Sequence, residues 1–511
     1  MAASPEKVVV IGAGMGGLSA AIRLAHAGLD VRVVDRAPVP GGKMRTMDST
    51  AGPVDAGPTV MTLRPVFEEL FDSVGARLGD YVTLHREEVL ARHWWPDGSS
   101  LDLFADPQAS ADAVGAFAGP KARKEFEAFR RRAKRLFEAF DAPMMRAVTP
   151  SQSALTRHVM THPWLIFDMA PHRTLAGSLG AQFSDPRLAQ LFGRYATYVG
   201  GSPFQSPALL GLIWHAEAQG VWRVEGGMHQ LARALEKLAR DKGVTFSFGT
   251  RATRIEIQNG AAAAVHLEDG TRLPADRVVF NGDPAALGAG LMGEALRETL
   301  PRDATHPRSI SAYVWSFAAQ PHGPEMVHHN VFFCADPRKE FDPIAAGHMP
   351  EDPTLYICAQ DRGAGRTPQG EERFEIIMNG PPVADGAEAT DEEKETCRTR
   401  TFQTLARFGL TFDPRPGVQW LTTPRHFARL FPASEGSLYG RSPHGLTASL
   451  KRPTARLGLP GVYLAGGGAH PGAGIPMATL SGRHAAEAIL TDLASTSMSH
   501  PTATRGGIST A

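Results

Sequence analysis

The sequence predicts an α/β fold with α+β insertions: a Rossmann-like dinucleotide-binding unit assembled from separated stretches and interleaved with a second unit. Three observations predict it. The chain opens as strand, GxGxxG turn, helix and a second strand ending in an acid; helix-and-strand character returns near residue 225; and a glycine-rich turn, "AGGGAHPGAGIP", lies at 465–476.

In "KVVVIGAGMGGLSAAIRLAHAGLDVRVVDRA" the apolar run at 8–11 reads as a buried parallel strand. Gly12 then permits a tight turn, Gly14 lets a pyrophosphate approach the backbone, and Gly17 lets the helix pack on the strand. The helix N-terminus offers unpaired N–H groups to phosphates. Asp35 closes the second strand, where a carboxylate can accept from ribose hydroxyls. Arg36 hints at a 2′-phosphate, but Asp35 would repel one, so this is not an NADP pattern. Two further turns exceed what an NAD unit needs. "PGGKMRT" carries Gly42, Lys43 and Arg45, and "VDAGPTVM" places Asp55, Gly57 and Pro58 in a second tight turn. Together they favour the longer dinucleotide FAD.

From about 62 to 225 the pattern changes to helices, with 66–75 the first, a hairpin-like "RHWWPDGSSLDLFAD" at 92–106, and aromatic-rich apolar segments. The basic stretch 121–140 reads as an amphipathic helix with a solvated face, or as one drawn to an anionic membrane. The most apolar segments, 162–171 and 206–222, read as helical core, or as lining for a greasy substrate or a membrane-dipping surface. After 225 come a helix, strands at 244–248 and 252–257, and a hairpin closing on "RVVFN"; Ala252 and Asn281 fall where they can meet the nucleotide. A second excursion fills about 301–445, with an acidic loop and helix over 383–400. Residues 455–490 bring the chain back to the first turn. The expected division is 1–85, 225–300 and 446–495 for the cofactor unit, 86–224 and 301–445 for a substrate- and membrane-facing unit, and 496–511 as a disordered tail.

Of the 511 residues, 42% are hydrophobic and 21% charged, with 53 basic against 53 acidic, so no global field points to nucleic acid. Cys334, Cys358 and Cys397 share no metal-ligand spacing, so no metal or disulfide is expected. The first residues lack signal-peptide character, and no apolar run reaches a membrane-spanning length. The expected location is cytoplasmic, on a membrane surface without crossing it.

The stretches "VVVIGAGMGGLSAAIRLAHAGLDVRVVDRAPVPGGKMRT", "DAGPTV", "GVWRVEGGMHQLARAL" and "YLAGGGAHPGAGIPMATLSG" resemble the bacterial phytoene-desaturase-type carotenoid oxidoreductases. Within that family "HPGAGIPMATLSG" is closer to the 1-hydroxycarotenoid 3,4-desaturase branch, and "RYATYVGGSPFQSPALLGLIWHAEAQGVW" points the same way. One departure is Asp35, where many relatives carry Glu. The resemblance implies a fold like the flavin amine oxidases and an FAD-dependent desaturation of an acyclic 1-hydroxycarotenoid at the 3,4 position, such as 1-hydroxyneurosporene to demethylspheroidene. It also implies peripheral attachment to the inner photosynthetic membrane and a quinone or oxygen as electron acceptor. Carried over by position, the cofactor residues are Asp35, Lys43, Thr59, Val60, Ala252, Asn281 and the 467–477 loop, with Gly467, Gly468, Gly474, Ile475 and Met477. Chemically, hydride loss from an allylic carbon is favoured because the cation spreads along the polyene; a proton then leaves the neighbouring carbon. His470 is a candidate base, although its position equally suits a brace for the glycine loop. Phytoene- or neurosporene-type desaturases, carotenoid isomerases and saturases share these motifs. More distant alternatives are a flavin amine oxidase and a non-enzymatic prenyl-lipid carrier.

Overall fold

Pieces of chain far apart in sequence form one five-stranded parallel sheet, in the order Val462–Leu464, Arg277–Phe280, Lys7–Ile11, Asp30–Val34, Thr245–Ser247. The structure is a computed structural model that describes residues 5–498 apart from 364, 366, 367, 384 and 385. The central strand is buried on both faces, which explains its unbroken run of valines. Helix Met15–His26 starts at the glycine turn, and the last helix, Ile475–Met498, crosses it. The crossing depends on missing side chains. A Cβ on Gly482 would lie 2.1 Å from the carbonyl oxygen of Gly16, inside any tolerable contact. Ser19 Oγ donates to the Thr479 carbonyl across the same crossing.

A three-stranded antiparallel sheet, Ala252–Gln258, Ala261–Leu267 and Arg272–Pro274, stands beside the acid-bearing strand. The larger, mostly antiparallel sheet runs Thr411–Asp413, Ser311–His322, Glu372–Gly380, Leu355–Ala359, His329–Phe332, Val89–Trp94, Ser100–Phe104, with Leu421–Thr422 pairing the long second strand. Its Val89–Trp94 and Ser100–Phe104 strands form the hairpin expected over 92–106. Helix Arg64–Asp72 occupies most of the expected 66–75. Thr390 caps helix Asp391–Arg407 within the expected 383–400.

The basic stretch 121–140 belongs to the longer helix Pro107–Phe140, broken where Gly119 adopts φ 88° before Pro120. Its aromatic face (Phe126, Phe129, Phe137, Phe140) is buried in protein, while its charged face carries pairs such as Arg123–Glu127 and Lys134–Glu138. The aromatic face is therefore core and is not free to insert into a membrane. Segment 206–222 follows the first of its two readings, helical core: Trp214 is 1% exposed and packs edge-on to Phe126 and Phe192. Segment 162–171 behaves differently. Helix Trp164–Met169 buries only Leu165 and leaves Phe167 85% exposed, with Met160, Trp164 and Ile166 exposed around it. Among the described residues no helix is long and apolar enough to cross a membrane. The tail expected over 496–511 overlaps the last helix as far as Met498; residues 499–511 lie outside those described.

Candidate cofactor site and substrate cavity

Gly12 has φ 106°, and its amide donates to the Val34 carbonyl, closing the turn between the first two strands. A Cβ on Gly17 would sit 2.1 Å from the Gly12 carbonyl oxygen, so only glycine lets the helix approach this strand. Asp35 accepts from the amides of Ala13 (2.7 Å) and Ala37 (2.8 Å). Burial raises its carboxyl, and these two amides and Arg36 pull it back down. Each oxygen keeps capacity for a further donor, as ribose recognition needs. Ala252 lies outside the turn itself, two residues beyond Thr250, whose amide donates to the Asp35 carbonyl.

Asn281 ties the parallel sheet to the glycine turn. Its Nδ2 donates to the Gly12 carbonyl at 3.0 Å, and its Oδ1, pressed between Gly16 and Gly466, has no partner. Gly42 takes φ 59° and lies against Gly14. Lys43 Nζ donates to the Leu438 carbonyl, and burial lowers its ammonium to about 8. Arg45 donates to Thr422 Oγ1 through Nη2, stands over the Phe427 ring, and has an unpartnered Nε.

The glycine loop is held from beneath by Arg452, which donates to the carbonyls of Gly467 (3.0 Å), Tyr439 (2.9 Å) and Arg441 (2.8 Å). Burial, then Arg308 and Arg441, lower this guanidinium to about 10. Arg308 itself forms a buried pair with Asp283. Lys43, Arg308 and Arg452 thus gather positive charge around one acid, a preorganised field favouring negative charge at this end of the molecule. Gly468 packs on Pro284, and Gly474 has φ 102°. Met477 is half-buried in the first turn of the last helix.

His470 faces away from all this. It is 1% exposed, its Nε2 is 2.9 Å from the Ala147 carbonyl, and its ring stacks on His484. It is not among the residues lining the cavity described next, and its contacts are those of a brace.

A cavity of about 730 Å³ opens beyond the glycine loop. Both cofactor-side turns contribute to its wall: Pro58, Thr59 and Val60 from one, Gly474, Ile475 and Pro476 from the other, with Tyr439. Trp95, Phe204, Phe333, Phe341 and Ile377 make most of it apolar. Polar groups interrupt it, among them three hydrogen-bonded sets. Thr59 Oγ1 and Tyr356 OH are 2.8 Å apart. Tyr198 OH donates to Glu217 Oε2 at 2.6 Å and accepts from Arg194. Asn379 Nδ2 donates to Glu340 Oε1 at 2.7 Å, and burial raises the Glu340 carboxyl.

The residues fit a dinucleotide with a flavin head. The unpartnered Arg45 Nε and the buried cations favour a polar, anionic group, and Gly467 and Gly474 carry no side chain to obstruct it. Of the residues expected at this site, Gly12, Gly14, Gly17, Gly42 and Asn281 meet around the crossing, beside Gly466, whereas Thr59, Val60, Gly474 and Ile475 line the cavity. Sequence reasoning missed Arg452, Arg308 with Asp283, Tyr356, Glu375 and Glu217. Glu217 alone had a local signal, an acid inside one of the most apolar runs. Also unseen was a buried group of His328, His329 and Cys358, whose donor atoms lie within 4.8 Å because His329 and Cys358 pair directly across two strands.

A family model described as flavin containing amine oxidoreductase matches residues 15–490. A hydroxyneurosporene desaturase of Cereibacter sphaeroides is 59% identical over 96% of this chain and 99% of its own. One from Rhodobacter capsulatus is 51% identical over 96% and 98%, and one from Rubrivivax gelatinosus 42% over 99% and 97%. Among solved structures, a putrescine oxidase has a TM-score of 0.57 at 14% identity, covering 96% of this chain and 99% of its own. An oxidoreductase from Methanosarcina mazei has 0.56 at 18%, covering 94% and 100%. At these identities the structural likeness speaks for the fold.

Proposed function

Because the chain belongs to the flavin-containing amine oxidoreductase family, we propose that it is an FAD-dependent carotenoid desaturase that introduces the 3,4 double bond into an acyclic 1-hydroxycarotenoid. The observation that carries this reading is the apolar cavity ending against Thr59, Val60 and the Gly474–Pro476 loop. A long hydrocarbon can enter there, and its end group can reach the cofactor side.

FAD, when bound, supplies the two-electron acceptor. Asp35 would hold its ribose, the glycine turn and the first helix N-terminus its diphosphate, and Lys43, Arg308 and Arg452 would surround its head with positive charge. The chain's further contribution is alignment and dryness. Trp95, Phe333, Phe341 and Ile377 exclude water, so a cation formed on the polyene loses a proton rather than gaining hydroxide. We take residues 1–85, 225–300 and 446–495 as the cofactor unit and the rest, to residue 445, as the substrate unit.

Carotenoids dissolve in bilayers, so the enzyme docks peripherally on the inner membrane and passes electrons to a quinone or to oxygen. Support comes from the exposed Met160, Trp164, Ile166 and Phe167, ringed by exposed Arg157, His172 and Arg173. Ala176, three residues past Arg173, already lines the cavity. The deciding experiment presents flavin-loaded protein with 1-hydroxyneurosporene and with phytoene in liposomes and follows the absorption red shift. Turnover of the hydroxylated carotenoid is expected; turnover of phytoene alone refutes the branch assignment. Hydrogen peroxide release against quinol formation identifies the acceptor.

A further inference from the structure

Resting on that reading, we propose that Thr59 and Tyr356 form the binding site for the tertiary hydroxyl of the substrate, the feature that tells a hydroxylated end group from a bare one. The ligand's own geometry sets the requirement. Its hydroxyl carbon is separated from the reacting C3–C4 bond by one methylene. A group holding that hydroxyl must therefore lie at the cavity end where the cofactor-side residues 58–60 and 474–476 enter.

Thr59 is one of those entering residues, its Oγ1 bonds Tyr356 OH, and Tyr356 pairs with Ile377 across two strands; all three residues line the cavity. Behind them the chain of polar groups continues in both directions. Tyr356 OH is 2.7 Å from His329 Nδ1, and Thr59 Oγ1 is 3.4 Å from Glu375 Oε2. Both outer groups are buried, and each has an unpartnered atom, Glu375 Oε1 and His329 Nε2. A hydroxyl donates one bond and accepts two, so the four groups can point either way along the chain and still receive or offer a bond to an incoming alcohol. With an unhydroxylated end group this capacity goes unused, and buried polar atoms stay unpaired.

Two other hydrogen-bonded groups of the cavity are committed to fixed partners. Tyr198 OH gives its one proton to the Glu217 carboxylate and accepts from Arg194, so unlike the Thr59–Tyr356 pair it cannot reverse direction to donate to an alcohol. Asn379 lies two residues along its strand from Ile377, the residue paired with Tyr356, and its amide already donates to Glu340 Oε1.

Tyr356→Phe and Thr59→Val, each loaded with FAD and assayed for bound flavin, are compared with the unaltered enzyme. All act on 1-hydroxyneurosporene and neurosporene competing in the same phosphatidylcholine–phosphatidylglycerol vesicles. The ratio of kcat/KM for the hydroxylated over the bare carotenoid is expected to fall about 10- to 100-fold in each, as for a site that loses a hydrogen bond to a substrate hydroxyl. Thr59→Ser restores the hydroxyl and is expected to keep the ratio. If Tyr356→Phe fails to hold flavin, the Thr59→Val and Thr59→Ser pair decides. An unchanged ratio in flavin-loaded variants, or one lowered by Asn379→Leu instead, overturns the proposal. If the unaltered enzyme turns over no 1-hydroxycarotenoid, the functional reading fails first, before any variant is compared.

Discussion

The crossing of the first and last helices and the aromatic half beyond the cavity both exclude solvent, but by opposite means. At the crossing, contact is backbone to backbone: Gly16, Gly17, Gly466 and Gly482 have given up their side chains so that carbonyls and Asn281 can touch. In the aromatic half, Phe126, Phe129, Phe192, Tyr195 and Trp214 fill space with the largest side chains available. The first arrangement tolerates no added atom and the second no lost one. The same logic separates what each does: the crossing brings the backbone against a cofactor, and the aromatic half shapes a hole for a hydrocarbon.

The largest test of this contrast is Gly482→Ala. The residue is remote from the nucleotide turn in sequence, yet its Cβ would meet the Gly16 carbonyl, so the helices must separate and the diphosphate site must open. A loss of about 3 kcal/mol or more and near-absent flavin absorbance are expected; a yellow variant with an unchanged melting temperature would break the comparison. Next comes Trp214→Ala, the opposite operation. Removing a fully buried indole packed on Phe126, Phe192 and Tyr195 should cost about 3–5 kcal/mol in chemical denaturation, with flavin still bound in the folded fraction.

His470→Ala should act through stability rather than chemistry, losing about 1 kcal/mol with the bond to the Ala147 carbonyl while turnover per bound flavin is kept. Lost turnover in the flavin-loaded variant would restore a catalytic role. Burial lowers His470 to about 4 and the stacked His484 to about 3, from an ordinary 6.5. Below 6.5 the unfolded chain takes up protons that the folded pair refuses, so stability falls as pH drops from 6.5 toward 4. His470→Ala should flatten that acid slope in pH-dependent melts. The smallest expected effect is Phe167→Ser: within about 0.5 kcal/mol in stability, because the ring is exposed, but with weakened flotation on anionic liposomes. A substantial stability loss would show that the ring is packed rather than displayed.

Legibility followed the same divide. The glycine turn, Asp35, the strand–turn–helix–strand that carries them and the return at 465–476 were readable because backbone approach to a phosphate demands particular residues at particular spacings within a few positions. His470 was readable as a position but not as a role, since Ala147 and His484, its partners, come from other stretches. The two apolar segments looked alike in sequence, yet one is core and the other surface: whether a greasy run is covered depends on what packs over it. The Thr59–Tyr356–His329 chain and the Arg308–Asp283–Arg452 cluster left no local trace, because their members are tens to hundreds of residues apart.

By itself, then, the sequence determined a Rossmann-like unit built for a flavin dinucleotide, through local spacing that serves one strand, one turn and one helix at a time. Only the tertiary structure decided which hydroxyls meet in the cavity wall, which carbonyl and ring His470 packs against, and which apolar helix stays exposed. Those outcomes depend on side chains converging from different sheets, and no short-range pattern encodes that convergence.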